Sequence, residues 1–159
     1  MSNRDYSDAR SARARLRRCA DGFDAVAERG AHELVHRCEA ACTESNDTHP
    51  SADRLLSVAP LLAWVETDQR DMSMPEQLAR PKEVGGDRPR LSELRFQRLL
   101  AAQGDEVHQE LRRALQLLDK SANTLWLAEA ACYWNDEFRG PELRRRWAYE
   151  YYSHLPKAG

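Results

Sequence analysis

His32-Glu33-Leu34-Val35-His36 is the stretch of this 159-residue chain that most directly offers chemistry. Two histidines at i and i+4 share one face of a helix, where they can hold zinc, and the glutamate between them can serve as a general base. A catalytic zinc needs a third protein ligand. In the extended form of this motif a glycine and a third histidine follow, and here Glu39 and Cys42 stand in their places. Glu44, His49 and Glu66 carry ligand atoms, but none sits in a second recognisable motif, and no strand is in sight to back such a site. Cys38 and Cys42 complete a structural zinc site with His32 and His36 only if one helix can aim all four at one metal. His36 and Cys38 diverge by about 200° around a helix, so it cannot. The histidines therefore read as helix-surface residues. No metal or other cofactor is expected, and a small zinc metalloprotease stays as the alternative.

Other catalytic arrangements are missing: no phosphate-binding glycine loop with its lysine, no dinucleotide fingerprint and no nucleophile elbow. What recurs instead is arginine, as Arg17-Arg18, Arg95 and Arg98 one turn apart, Arg112-Arg113, and Arg144-Arg145-Arg146. A guanidinium donates two parallel hydrogen bonds to a phosphate, so such groups suit a nucleic-acid backbone. The bland reading pairs them with Glu93, Glu106 or Glu110 on solvated helix faces.

The distribution of charge gives the first reading some support. Residues 1–20 hold six Arg and two acids, residues 21–87 six basic and fourteen acidic residues, and residues 88–159 twelve basic and ten acidic ones. The segments carry +4, −8 and +2 within a net charge of −2. A polyanion is therefore met by the two ends of the chain and not by its middle.

Composition favours helices to position these groups. Ala, Leu, Arg and Glu abound, Val is scarce, and Gly and Pro number seven each. No apolar run approaches the roughly 20 residues that span a bilayer, and no apolar signal segment follows the N-terminus. The four cysteines read as buried thiols of a cytoplasmic protein. A first helix is expected over Asp8–Ala20, broken by Asp21-Gly22, and a second over Asp24–Cys42. After a polar loop from Ser45 to Pro50, Ser51 caps a third helix that Pro60 should kink or split. Pro75 fits the first position of a short helix. Residues 81–90, with Pro81, Gly85-Gly86 and Pro89, read as a polar, mobile linker. Beyond it Ser92 caps a helix to Gln103, with Phe96, Leu99 and Leu100 inward and Gly104 closing it. Asp105 caps the next, where Val107, Leu111, Ala114, Leu115 and Leu118 form one apolar face and Arg112 and Arg113 point away from it. Thr124–Trp134 is apolar all round. Gly140-Pro141 opens a last helix striped by Leu143, Trp147, Tyr151 and Leu155. The expectation is an all-α protein without strands: an N-terminal helical lobe over 1–80, the linker, and a C-terminal four-helix bundle over 91–159.

Several of these elements resemble one family. Leu94-Arg95-Phe96 with Arg98-Leu99-Leu100, Leu111-Arg112-Arg113-Ala114-Leu115, Tyr133-Trp134, and above all Arg146-Trp147-Ala148-Tyr149-Glu150-Tyr151-Tyr152 resemble the C-terminal bundle of the CasB family. Arg13-Ala14-Arg15-Leu16-Arg17-Arg18 is similar to that family's N-terminal arginine element, ahead of which only Tyr6 stands for its usual aromatic anchor. CasB proteins are the small helical subunits of type I-E CRISPR surveillance complexes (Cascade). The resemblance implies a non-catalytic role in antiviral defence, holding CRISPR RNA, target DNA and the displaced strand of the R-loop. It also implies the other Cascade subunits and a second copy of the chain as partners. The expected backbone contacts are Arg17, Arg18, Arg95, Arg98, Arg112 and Arg113. A helical adaptor that binds only protein is a further alternative.

Overall fold

The computed structural model describes residues 3–45 and 50–157, so His49 and most of the expected Ser45–Pro50 loop lie outside the described residues. The chain divides into two compact units, Met1–Trp64 and Val65–Gly159. That boundary precedes the expected linker at 81–90, for reasons that lie in the second unit.

The first unit contains α1 (Asn3–Arg18), α2 (Gly22–Ala25), α3 (Arg29–Ser45) and α4 (Ala52–Leu62). The break at Asp21-Gly22 forms as expected, because the Asp21 carboxylate accepts hydrogen bonds from the backbone N–H groups of Phe23 and Asp24. The expected single helix over Asp24–Cys42 is instead two, because the Glu28 N–H turns back to the Ala25 carbonyl. Gly22 is required where it stands, since a Cβ there would lie 2.8 Å from the Ser57 Cα. Cys19, Ala25, Ala31, Val35, Leu55, Leu56 and Ala59 make the core. Ser51 caps α4 by accepting from the Arg54 N–H. Pro60 falls in the last turn of α4, so the backbone bond it removes costs little helix.

The second unit contains α5 (Met74–Ala79), α6 (Glu93–Ala101), α7 (Asp105–Leu117), α8 (Thr124–Tyr133) and α9 (Gly140–Ser153). Four of these are the expected bundle helices. The fifth, α5, packs against α9 and not within the N-terminal lobe, where sequence alone puts it. A buried amide pair explains its place. Gln77 donates to the Ser121 carbonyl at 3.1 Å and accepts from the Asn123 N–H at 3.1 Å, while the Asn123 amide donates to the Met72 carbonyl at 2.9 Å. Buried polar groups need such partners, and here each amide finds them in nearby backbone, that of Asn123 included.

The same region corrects the expectation of no strands. Two-residue segments β1 (Thr67–Asp68) and β2 (Ser121–Ala122) pair in parallel, with Thr67 opposite Ser121. Residues 81–90 are likewise a surface loop of the second unit and not a linker between lobes. The Arg90 and Leu91 N–H groups bond the Arg80 and Leu78 carbonyls, and Lys82 and Arg90 flank Asp119 at 3.4 and 3.8 Å.

Aromatic packing fills the centre. Phe96, Trp134, Trp147 and Tyr151 are fully buried. Trp134 meets Trp147 edge-on at 5.1 Å, and Phe96 stacks on Tyr151 with ring centroids 3.8 Å apart. The Tyr151 hydroxyl donates to the Leu91 carbonyl, and burial, then Glu93, raises its pKa so that it keeps the donated proton. Leu155 falls beyond the end of α9, so the stripe closes at Tyr151.

Trp147→Ala is expected to lower the stability of this unit by about 3–5 kcal/mol, read as a fall in the denaturant midpoint. An unchanged midpoint would mean that Trp147 is not a core residue. A second expectation concerns Asp68, whose carboxylate accepts from Arg70 Nε at 2.6 Å and from the Thr124 backbone N–H and hydroxyl at 3.1 and 2.8 Å. The Arg70 bond, followed by those of Thr124, holds its pKa below the ordinary carboxylate value of 3.8. Its folded pKa is depressed, so any stability it contributes is present above that ordinary value and fades as pH falls through the folded value. In a carboxyl NMR titration, Asp68 should titrate below the exposed aspartates and move up in Arg70→Ala.

Candidate nucleic-acid interface

The helical register of α6 sorts its residues cleanly. Phe96 and Leu99 are buried, which turns Arg95 and Arg98 to the outside. Neither arginine makes a hydrogen bond or ion pair among the described residues, Glu93 included. Across from them on α7, Arg113 is exposed and donates to Glu110 Oε1 at 2.6 Å. An exposed i,i+3 pair of this kind is worth a few tenths of a kcal/mol, too little to hold Arg113 from a stronger anion.

These three arginines line one open groove together with Glu110 and Gln116, over apolar residues Leu91, Leu99, Ala114 and Leu117. Three cations against one carboxylate leave the groove positive. Arginine rims with an apolar floor can take a phosphate backbone at the edge and the flatter, less polar part of a nucleotide within.

The other expected contacts do not join them. Arg112 does not leave the leucine face as its sequence position suggests: it is half-buried with its Nε shielded from solvent, and it is engaged within the fold. Its position is only about 60° around the helix from Leu115, so its stem lies along the apolar margin. Arg17 belongs to the first unit, where its Nε donates to the Ala63 carbonyl at 2.8 Å and its guanidinium lies 5.5 Å from the centre of the Trp64 ring. Arg13 donates to the same carbonyl at 2.8 Å. Ala63 is the C-cap of α4, so both cations sit at the negative end of that helix. Arg18 is exposed and makes no hydrogen bond or ion pair among the described residues.

The triple arginine of α9 splays around its helix. Arg144 donates to the Trp134 carbonyl at 2.8 Å, Arg146 to Glu129 at 2.6 Å while covering the Trp126 ring, and Arg145 is exposed. What sequence reasoning missed in the groove is its floor. Leu91 precedes α6, and Leu117 lies off the leucine stripe of α7, so neither is marked by periodicity.

On α3, His32 Nε2 lies 2.7 Å from the Val26 carbonyl, which fixes it as a donor. Glu33 pairs with Arg37 at 3.7 Å, and His36 with Glu39 at 3.6 Å. Glu44 does not converge with these histidines, and the one group of three metal-ligating side chains among the described residues is made of other residues. Burial, then Cys42, pushes the Cys38 thiol up, away from the thiolate that a metal would take.

Comparison with known proteins bears on the whole of this arrangement. The family model of the CRISPR-associated protein Cse2 matches residues 12–152. Neither the curated proteins nor the solved structures contain a match to the chain. The family match runs from the last seven residues of α1 through nearly all of α9, including the arginine element, both helices of the groove and the aromatic stripe. The chain therefore belongs to the CRISPR-associated Cse2 (CasB) family, and is a small subunit of the type I-E Cascade complex.

Proposed function

We propose that this Cascade subunit is non-catalytic and grips nucleic-acid backbone, stabilising the R-loop through contacts to CRISPR RNA, target DNA or the displaced strand. The observation that carries the reading is the α6–α7 groove, where Arg95 and Arg98 have no protein partner among the described residues and Arg113 has only a weak one. Exposed cations held side by side without counter-charges cost the folded protein something through mutual repulsion. An anionic ligand relieves it.

The energetics suit such a role. Exchanging a DNA duplex for an RNA–DNA heteroduplex is nearly balanced, so a few phosphate contacts can tip it. Contacts of this kind ignore base sequence and weaken with salt, because they work by releasing counterions. Arg95, Arg98 and Arg113 are the contacts we assign in the second unit, and Arg18 is the candidate in the first. Arg17 and Arg112 fit the proposal less well, since their guanidinium groups are committed inside the fold. In this reading the partners are the other Cascade subunits and a second copy of the chain, and the protein works in the cytoplasm. Among the described residues no helix is long and apolar enough to cross a membrane.

The test uses the assembled complex. Replacing Arg95, Arg98 and Arg113 with Ala should weaken R-loop formation to a similar degree on every target sequence. The slope of log affinity against log salt should become shallower by about 0.7–0.9 for each phosphate no longer neutralised, depending on whether that strand is single or duplexed. Folding should stay within about 0.5 kcal/mol of the parent. Glu110→Gln frees Arg113 and should leave binding alone or improve it. Arg17→Ala and Arg112→Ala serve as contrasts, with the larger effect on the melting midpoint. Unchanged R-loop formation and salt slope in the triple variant would remove the groove from the site.

A further inference from the structure

α6 and α7, which carry the walls of the groove, are joined by Ala102, Gln103 and Gly104. Gly104 stands at φ +57° and ψ −133°, a conformation that a residue with a Cβ rarely takes. Space is not the reason for a glycine here, since a Cβ would meet nothing within 4 Å. The backbone angle is. A glycine between two helices can take many other angles as well, and each would point α7 in a different direction. α7 has no side-chain N-cap to choose among them. The bonds that begin the helix, from the Glu106 and Val107 N–H groups to the Gln103 and Gly104 carbonyls, are both long at 3.3 Å.

What holds this joint is Asn135, 31 residues further along the chain. Its Oδ1 accepts from the Gly104 N–H at 2.9 Å, and its Nδ2 donates to the Gly104 carbonyl at 3.2 Å. The N–H lies on one side of the Cα and the carbonyl on the other, so one planar amide that engages both constrains φ and ψ together. Asn135 has a firm base from which to do so. It follows the buried Trp134, whose carbonyl accepts from Arg144 at 2.8 Å. The Asp136 carboxylate accepts from the Phe138 and Arg139 N–H groups at 3.0 and 2.8 Å. Gly140 closes the corner so tightly that a Cβ on it would lie 2.5 Å from the Trp134 carbonyl oxygen. The amide therefore ties the joint between α6 and α7 to a stiff corner between α8 and α9.

The arginines lie away from this joint and move with it. From Asp105 to Arg113 is about 12 Å along the axis of α7, so a tilt of about 10° at Gly104 carries Arg113 about 2 Å. That is more than a hydrogen bond tolerates. The stack of Phe96 on Tyr151 fixes α6. Apolar packing on the leucine face of α7 is non-directional, and it holds the helix against the core without dictating so small a tilt. We propose that Asn135 is a positioning residue for the groove. By fixing both angles of Gly104 it sets how far Arg113 stands from Arg95 and Arg98, and so whether the three can meet one phosphate backbone together. The proposal rests on the reading of the groove as a grip on that backbone.

Residual dipolar couplings of the free protein read the angle between α6 and α7 directly. Asn135→Ala should turn α7 against α6 by several degrees and leave α8 and α9 as they are. Amide exchange at Gly104 should speed up about tenfold, while the melting midpoint stays within a few degrees of the parent because both bonds are exposed. Gly104→Ala, which has room for its Cβ but a disfavoured φ, should turn α7 as well. In the assembled complex, far below the midpoint, Asn135→Ala should weaken R-loop formation about fivefold, and it should cost nothing further when Arg95, Arg98 and Arg113 are already Ala. An amide that only satisfies its own polar atoms predicts the same loss in both backgrounds, or none. An unchanged angle between α6 and α7, or equal loss in both backgrounds, overturns the proposal. Normal binding by Asn135→Ala beside weak binding by the triple arginine variant overturns this proposal alone. Normal binding by the triple variant overturns the reading of the groove, and this proposal with it.

Discussion

The contact on which the second unit most depends is the stack of Phe96 on Tyr151, locked by the Tyr151 hydroxyl on the Leu91 carbonyl. A buried phenol must find an acceptor, and a carbonyl just before the start of α6 leaves that helix one angular setting against α9. With Phe96 fixed inward, the helical repeat puts Leu99 inward as well and turns Arg95 and Arg98 outward. Leu91, held by its own carbonyl, becomes part of the groove floor. The exposed cations are thus placed by a buried aromatic contact they never touch. Without that stack α6 would be free to rotate, and the arginines would scatter without any change to their own identity.

Much of this was legible in the sequence because it is local. The cap at Ser51, the proline at the head of α5, the leucine face of α7 and the aromatic steps of α9 each follow from residues within a few positions of one another. What was not legible depends on partners far along the chain. Gln77 and Asn123 are ordinary polar residues until the fold buries them together, and their pairing is what draws α5 and residues 65–80 into the second unit. Two-residue strands carry too little pattern to be read, and Thr67 finds Ser121 only through that same arrangement. Arg17 shows the limit at a single residue. As a type it suits phosphate, but a helix C-terminus at Ala63, 46 residues away, offers the same guanidinium a carbonyl and a ring.

The histidines illustrate how spacing and convergence differ. The pair on α3 has the spacing of a zinc helix and no third ligand beside it among the described residues, so each imidazole is turned to a local partner. Glu150 and His154 also stand four apart, in a stretch that carries no motif, and they meet Glu76 only because α5 packs on α9, where Arg80 already holds the Glu76 oxygen that faces the ring. Spacing along one helix sets two ligand directions. The third comes from tertiary structure, which a motif search along one segment does not see.

Charge follows a similar logic. The chain as a whole is slightly acidic, and net charge alone would argue against a polyanion partner. Screening over about 8–10 Å at ordinary ionic strength makes the local field matter more than the total. Among the residues that line the groove with Arg95 and Arg98 are a third guanidinium and a single carboxylate, Glu110, which is already hydrogen-bonded to Arg113. Some arginines elsewhere are paired with an acid, as Arg146 is with Glu129 and Arg70 with Asp68. On the proposed function, gripping backbone without reading bases needs only such a local excess, and an acidic remainder would limit how much nucleic acid the chain holds outside its complex.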